Sequence, residues 1–169
     1  MKRLALSIIS CRNGSAAVEM ALVTPFLLVL MFGSFELGNY FLDNHVVAKA
    51  ARDGARYASR RGLQEYSCAA ASADVITKTR NLIRTGQISG GDARLPGWTD
   101  PTTITISVAC NTTGNNGGVF TGIYSGMTTG APVVTISVDV PYHSLFGAMG
   151  FNSTSISLRA RSQAAVMSI

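Results

Sequence analysis

The sequence predicts an α+β protein: a long N-terminal transmembrane helix continuing into an outer helix, then a second helix and a small antiparallel β-sheet head. Three observations predict it. One apolar run near the N-terminus is long enough to cross a bilayer, and apolar residues recur beyond it at three-to-four spacing. A capped, amphipathic stretch comes next, over Ser72 to Thr85. Three later segments alternate apolar and polar residues with period two. The chain has 169 residues, enough for one domain plus a membrane segment.

From Met20 to Phe35 there is no charge, and extending back to Ser15 gives 21 residues with Glu19 as the sole ionisable group. At about 1.5 Å per residue this helix spans roughly 30 Å, the thickness of a hydrocarbon core. No second stretch of this kind exists, so a single crossing is expected. The net charge of +5 is concentrated in the leader: Lys2, Arg3 and Arg12 precede the apolar run, and the chain from Ser15 onward carries +2. That distribution argues against a nucleic-acid surface. Basic residues before the run, with Glu36 and Asp43 after it, place the N-terminus in the cytoplasm and the rest outside the inner membrane.

The leader has three readings. A secretory signal peptide fits poorly, because the apolar run is longer than an h-region and "FGSFELGNY" offers no small-residue cleavage site after it. A lipoprotein box at "IISC", Ile8 to Cys11, has only the six residues "LALSII" before it and would make the membrane helix redundant. The third takes "NGSAAVE" as a unit. Gly14 ends the basic leader, and Glu19 is the fifth residue after it, at the start of the apolar helix. Glycine leaves no side chain to obstruct a protease at the membrane surface. Cleavage there would give Ser15 a new α-amino group little more than one helical turn from Glu19. A carboxylate in hydrocarbon costs several kcal/mol unless paired, and that cation, from its own chain or a packed neighbour, is the natural partner. The alternative is a Glu19 solvated at the headgroup boundary.

This pattern resembles the processing site of type IV prepilin-like proteins. The stretch "GSAAVEMALVTPFLLVLMFGSFELGNYF", Gly14 to Phe41, with Pro25 inside the apolar helix and "FELG" at its end, is more closely similar to the TadE/TadF-like proteins of tight-adherence (Tad) pilus systems. "AARDGARYASR", Ala50 to Arg60, is also similar to the segment that often succeeds the apolar helix in those proteins. The resemblance covers about the first 60 residues. It implies a minor, pilin-like subunit cut by a prepilin peptidase after Gly14, and working with other pilin-like subunits and the inner-membrane assembly platform. Glu19, Pro25 and Glu36 are the candidate subunit-packing residues. Glu36 is read either as a partner for a neighbour's basic group or as a solvated carboxylate at the helix exit.

Beyond the membrane, the apolar positions Leu37, Tyr40/Phe41, Val47/Ala48, Ala51, Ala55 and Ala58 predict a continuing helix to about Arg61, with Gly62 as its stop. Asn44 interrupts this stripe once; Lys49, Asp53 and Arg56 lie within pairing distance on the same helix. Gly38 and Gly54 weaken the case for an unbroken rod, and Pro25 removes one backbone hydrogen bond. The second helix has Ser72 as N-cap, Val75, Ile76, Leu82 and Ile83 as one buried stripe, and Gly86 as its end. "SGGDARLPGWTDPT" is turn-rich. "TITISVAC" (Thr103 to Cys110), "VVTISVDV" (Val133 to Val140) and "SISLRARSQAAV" (Ser155 to Val166) then supply three of an expected three or four antiparallel strands. The resulting divisions are a leader at 1–14, a transmembrane helix at 15–36, a periplasmic extension at 37–62 and a head at 63–169.

In an oxidising compartment, Cys68 and Cys110 read as a disulfide closing a loop worth about 4 kcal/mol in chain entropy, against the alternative of two free thiols; Cys11 belongs to the leader. No catalytic or metal constellation is visible: His45 and His143 lie far apart without ligand spacing, and the glycine-rich stretches lack the G-K-[ST] of a phosphate loop. Asp92 and Asp100 are isolated turn residues, and the "NTT" and "NST" triplets at Asn111 and Asn152 arise readily by chance. The sequence therefore predicts a non-enzymatic protein with no cofactor, and leaves two readings: a structural pilus subunit, or a signal-anchored periplasmic binding or scaffold domain that never enters a filament and recognises a ligand or cell-wall component.

Overall fold

The computed structural model describes residues 14–112, 120–127, 129–147 and 155–167. The leader up to residue 13, Cys11 included, and the sequon at Asn152 lie outside the described residues. Helix α1 spans Ser15–Ser59, α2 Ala73–Thr85, and strands β1, β2 and β3 span Ile104–Asn111, Ala131–Pro141 and Ser157–Ala165. The chain divides into two units, Met1–Asn39 and Tyr40–Ile169, so α1 contributes to both.

In the first unit α1 is apolar on all sides, and its aliphatic and aromatic side chains from Val18 to Phe35 are exposed. Two of its hydroxyls bond within the helix: Thr24 Oγ1 donates to the Met20 carbonyl (2.6 Å) and Ser34 Oγ to that of Met31 (2.8 Å). The helix runs on through Pro25.

In the second unit α1 buries Val47, Ala50, Ala51, Gly54, Ala55, Ala58 and Ser59, a face of small residues repeating at helical spacing. The expected stripe holds from Val47 onward, whereas Leu37 and Phe41 are exposed. The helix ends at Ser59 rather than Arg61. The Arg60 and Arg61 amides bond back to Tyr57 and Ala58, three residues behind, so the last turn tightens out of α geometry. Tyr66 donates its hydroxyl to the same Ala58 carbonyl, and Met167 N–H reaches the Ser59 carbonyl (2.8 Å).

Helix α2 begins where Ser72 Oγ accepts from the Val75 amide (3.3 Å) and ends where Gly86, at φ 85°, donates to Leu82 O (2.8 Å). Its buried stripe is Val75, Thr79 and Ile83. Ile76 and Leu82, expected inside, are only half-buried. Spacing of four keeps Thr79 on the line between Val75 and Ile83, and its methyl group packs there as a valine's would.

The sheet is antiparallel in the order β1-β2-β3. Ile106 pairs with Ile136, and Ile136 with Ser162. Ile104, Val108, Val134, Ile136, Val138, Val140 and Leu158 face the core with α1 and α2, which makes the sheet one-sided. Its other face carries Thr105, Ser107, Thr135, Ser137, Asp139, Arg159, Arg161 and Gln163, with Asp139–Arg159 (2.9 Å) and Thr135–Gln163 (2.9 Å) as cross-strand pairs. The turn-rich segment before β1 does more than turn. It lays Leu95 and Trp98 into the core, with the indole N–H donating to Thr103 Oγ1 (2.9 Å).

Candidate functional site: the N-terminal helix

The candidate residues fall into three places. Gly14, Ser15 and Glu19 stand together at the start of α1. Pro25 is six residues further on, and Glu36 is at the far end of the charge-free run. Cys68 and Cys110 belong to the second unit.

Gly14 immediately precedes α1 and is exposed, with open space where a Cβ would be. Packing among the described residues does not require glycine there. Ser15 opens the helix, and Glu19, four residues later, lies about 6 Å further along the axis. Glu19 is fully outside any protein core, on a helix surface otherwise composed of apolar side chains. Glu36 is half-exposed and makes a polar or electrostatic contact of its own. The two carboxylates are separated by 17 residues of helix, about 26 Å, so they bracket the apolar run at close to the thickness of a hydrocarbon core. The structure does not bring Glu36 near the Gly14–Glu19 group.

This helix is long and apolar enough to span a membrane, and none of its most apolar window is buried. Those are the properties of a segment whose solvent is lipid or other helices. Every backbone hydrogen-bond group but those at the ends and near Pro25 is satisfied internally, as hydrocarbon demands.

In the second unit, Cys68 and Cys110 are joined as a disulfide with Cα atoms 5.0 Å apart. It ties the exposed loop after α1 to the end of β1. Glu65 fixes the same loop, accepting from Arg61 (3.3 Å) and from Ser72 Oγ (3.0 Å). Asp53, which the sequence grouped with Lys49 and Arg56, pairs instead with Arg94 (3.4 Å), whose guanidinium also donates to the Leu82 carbonyl (3.4 Å). Residues 41 apart in sequence meet there, and no local spacing rule finds them. Asp100 caps the short helical turn at Pro101–Thr103 by accepting from the Thr102 amide (2.7 Å), and hydrogen bonding to Thr102 lowers its carboxyl pKa. His45 and His143 are both exposed, and among the described residues no three His, Cys, Asp or Glu side chains form a group able to hold a metal ion.

No curated protein and no solved structure matches the chain. Residues 14–56 match the family model described as TadE-like protein, a match that opens on Gly14 and runs along α1 into the second unit. Over residues 14–56, which hold most of α1, the chain is thus similar to TadE-like proteins.

Proposed function

We propose that the protein is a membrane-anchored, minor pilin-like subunit that a prepilin peptidase cuts after Gly14 and that acts in assembling, initiating or capping a Tad-type pilus. The observation carrying this reading is the TadE-like match over residues 14–56, which begins at the glycine and contains the whole apolar helix. The physical properties of that helix support it. An uncrowded glycine precedes the helix, and one carboxylate sits a turn inside it. The apolar surface is left entirely for lipid and neighbouring helices.

The mechanism is packing. After the leader is removed, the Ser15 amine and Glu19 set the register of one helix against another, because an unpaired carboxylate in hydrocarbon is costly. The membrane crossing puts the head on the periplasmic side, and the Cys68–Cys110 bond suits an oxidising compartment. Partners on this reading are the peptidase, other pilin-like subunits, the inner-membrane assembly platform and membrane lipid.

Mass spectrometry of the N-terminus of protein purified from membranes tests it. The expected mature chain starts at Ser15, and Gly14→Leu leaves the leader attached. Recovery of wild-type protein with Met1 in place would replace this reading with that of a signal-anchored scaffold outside any filament.

A further inference from the structure

The cations of the second unit divide sharply by use. Arg61 pairs with Glu65 and stacks over the Tyr57 ring, Lys78 pairs with Asp74, Arg94 with Asp53, and Arg159 with Asp139. Arg80 and Arg84 donate to the carbonyls of Ile104 and Thr99. Five Lys or Arg side chains of that unit have neither an ion pair nor a hydrogen bond among the described residues: Lys49, Arg52, Arg56, Arg60 and Arg161. Four of the five are on α1 or its last turn, all exposed, at spacings of three, four and four.

That spacing confines the four to a stripe about 80° wide and about 17 Å long, with exposed His45 extending it one turn toward the N-terminus. It is centred opposite the buried face formed by Val47, Ala51, Gly54 and Ala58. The one carboxylate nearby, Asp53, is committed to Arg94. Unpaired like charges at successive helical turns repel one another, so a row of them is destabilising unless something outside the chain answers it.

We propose that this stripe docks an acidic helical surface of a different protein, one presenting carboxylates at matching turn-by-turn spacing. Charge complementarity selects that occupant. A second copy does not fit: stripe against stripe doubles the positive charge, and the exposed carboxylates of the second unit, Asp74, Asp92, Asp100 and Asp139, are dispersed over separate elements. A membrane surface fits less well. Helices that lie in a headgroup layer insert large apolar side chains beside their cations, and α1 exposes none between Leu42 and its end. The proposal does not rest on cleavage at Gly14 or on entry into a filament.

The test uses the full chain in nanodiscs of zwitterionic phosphatidylcholine. The probe is a labelled alanine-based helical peptide with glutamate at every fourth residue, and its twin has glutamine at those positions. Fluorescence anisotropy is expected to show binding of the glutamate peptide, weakened about tenfold or more by high salt, by the glutamine twin, and by the combined variant Lys49→Gln, Arg52→Gln, Arg56→Gln and Arg60→Gln. Arg159→Gln with Arg161→Gln, which removes charge from the sheet face, is expected to bind as wild type does. Thermal melting checks that the combined variant folds; should it not, Arg56→Gln alone, expected to weaken binding measurably, takes its place. No binding of the glutamate peptide, equal binding of the two peptides, or equal loss in the stripe and sheet variants overturns the proposal. So does loss of peptide binding when phosphatidylglycerol enters the nanodisc, which would mark lipid as the occupant, or stripe-dependent dimerisation in sedimentation.

Discussion

Gly54 of α1 lies directly under Ile83 of α2: a Cβ at Gly54 would stand 2.6 Å from Ile83 Cδ1 and 3.2 Å from Ile136 Cδ1. Ile83 is fully buried and β-branched, so its side chain has no free rotamer into which to retreat. Gly54→Ala gains roughly 1 kcal/mol of helix propensity and incurs roughly 1–3 kcal/mol of overpacking. The overpacking should win, lowering stability by up to about 2 kcal/mol. Denaturant unfolding of the variant checks this. Combining it with Ile83→Ala should cost less than the two single changes added together, because the new methyl then enters the space vacated.

Thr79 is fully buried between Val75 and Ile83, and its hydroxyl finds no hydrogen-bond partner among the described residues. A desolvated hydroxyl without a partner costs about 1–3 kcal/mol. Thr79→Val keeps the shape and removes the hydroxyl, so it should raise stability by about 1 kcal/mol. Thr79→Ser, which keeps the hydroxyl and deletes the methyl, should lower it. Unfolding midpoints for the two variants should therefore move in opposite directions.

These two residues also show where sequence reading stops. The strands were legible from their period-two alternation, with Thr, Ile and Val dominating β1 and β2; their observed ends differ by one or two residues. Helix α2 was legible from Ser72 and Gly86, and its inner stripe in part: Val75 and Ile83 are buried as expected, whereas Thr79 was missed because it is not an apolar residue. Gly54 read as a weak point in a helix, because the residue it makes room for is 29 positions away. Trp98 and Leu95 sit in an aperiodic, turn-rich segment that gives no period to detect. The Asp53–Arg94 pair is likewise non-local. The Gly14–Glu19 group, by contrast, is defined by spacing along one chain segment, which sequence displays in full. The basic stripe on α1 was present in the letters, but it became distinct only when the structure showed which other cations were already engaged.

Tyr66 links the loop after α1 to the helix end by donating to the Ala58 carbonyl. Burial, reinforced by neighbouring Glu65 and partly offset by Arg61, pushes its pKa from 10.0 up to about 12. The protonated phenol is the form the folded chain holds. Below pH 10 both folded and unfolded chains are protonated and the contribution is complete. Between pH 10 and about 12 the unfolded chain ionises first, so stability falls. Above that range the contribution is gone. Tyr66→Phe should be less stable than wild type at neutral pH, and the difference should narrow across this window. Stepped-pH unfolding of the two proteins measures it, and subtracting one from the other removes the lysines and arginines that titrate nearby.

On the proposed function, Glu19 should separate cleavage from assembly. It is exposed on the apolar part of α1, so no packing among the described residues depends on it. A peptidase that reads Gly14 from outside should still cut a Glu19→Ala chain. On the proposed function, that chain lacks the carboxylate that would answer the Ser15 amine of a packed neighbour, an interaction whose loss in hydrocarbon is worth several kcal/mol. The expected result is mature-length protein accumulating in the membrane while pilus yield falls more than about tenfold. Glu19→Gln, which preserves volume and hydrogen bonding but not charge, should behave as Glu19→Ala does. Wild-type piliation in either variant would show that Glu19 is merely solvated at the headgroup boundary and that helix register is set by apolar packing alone.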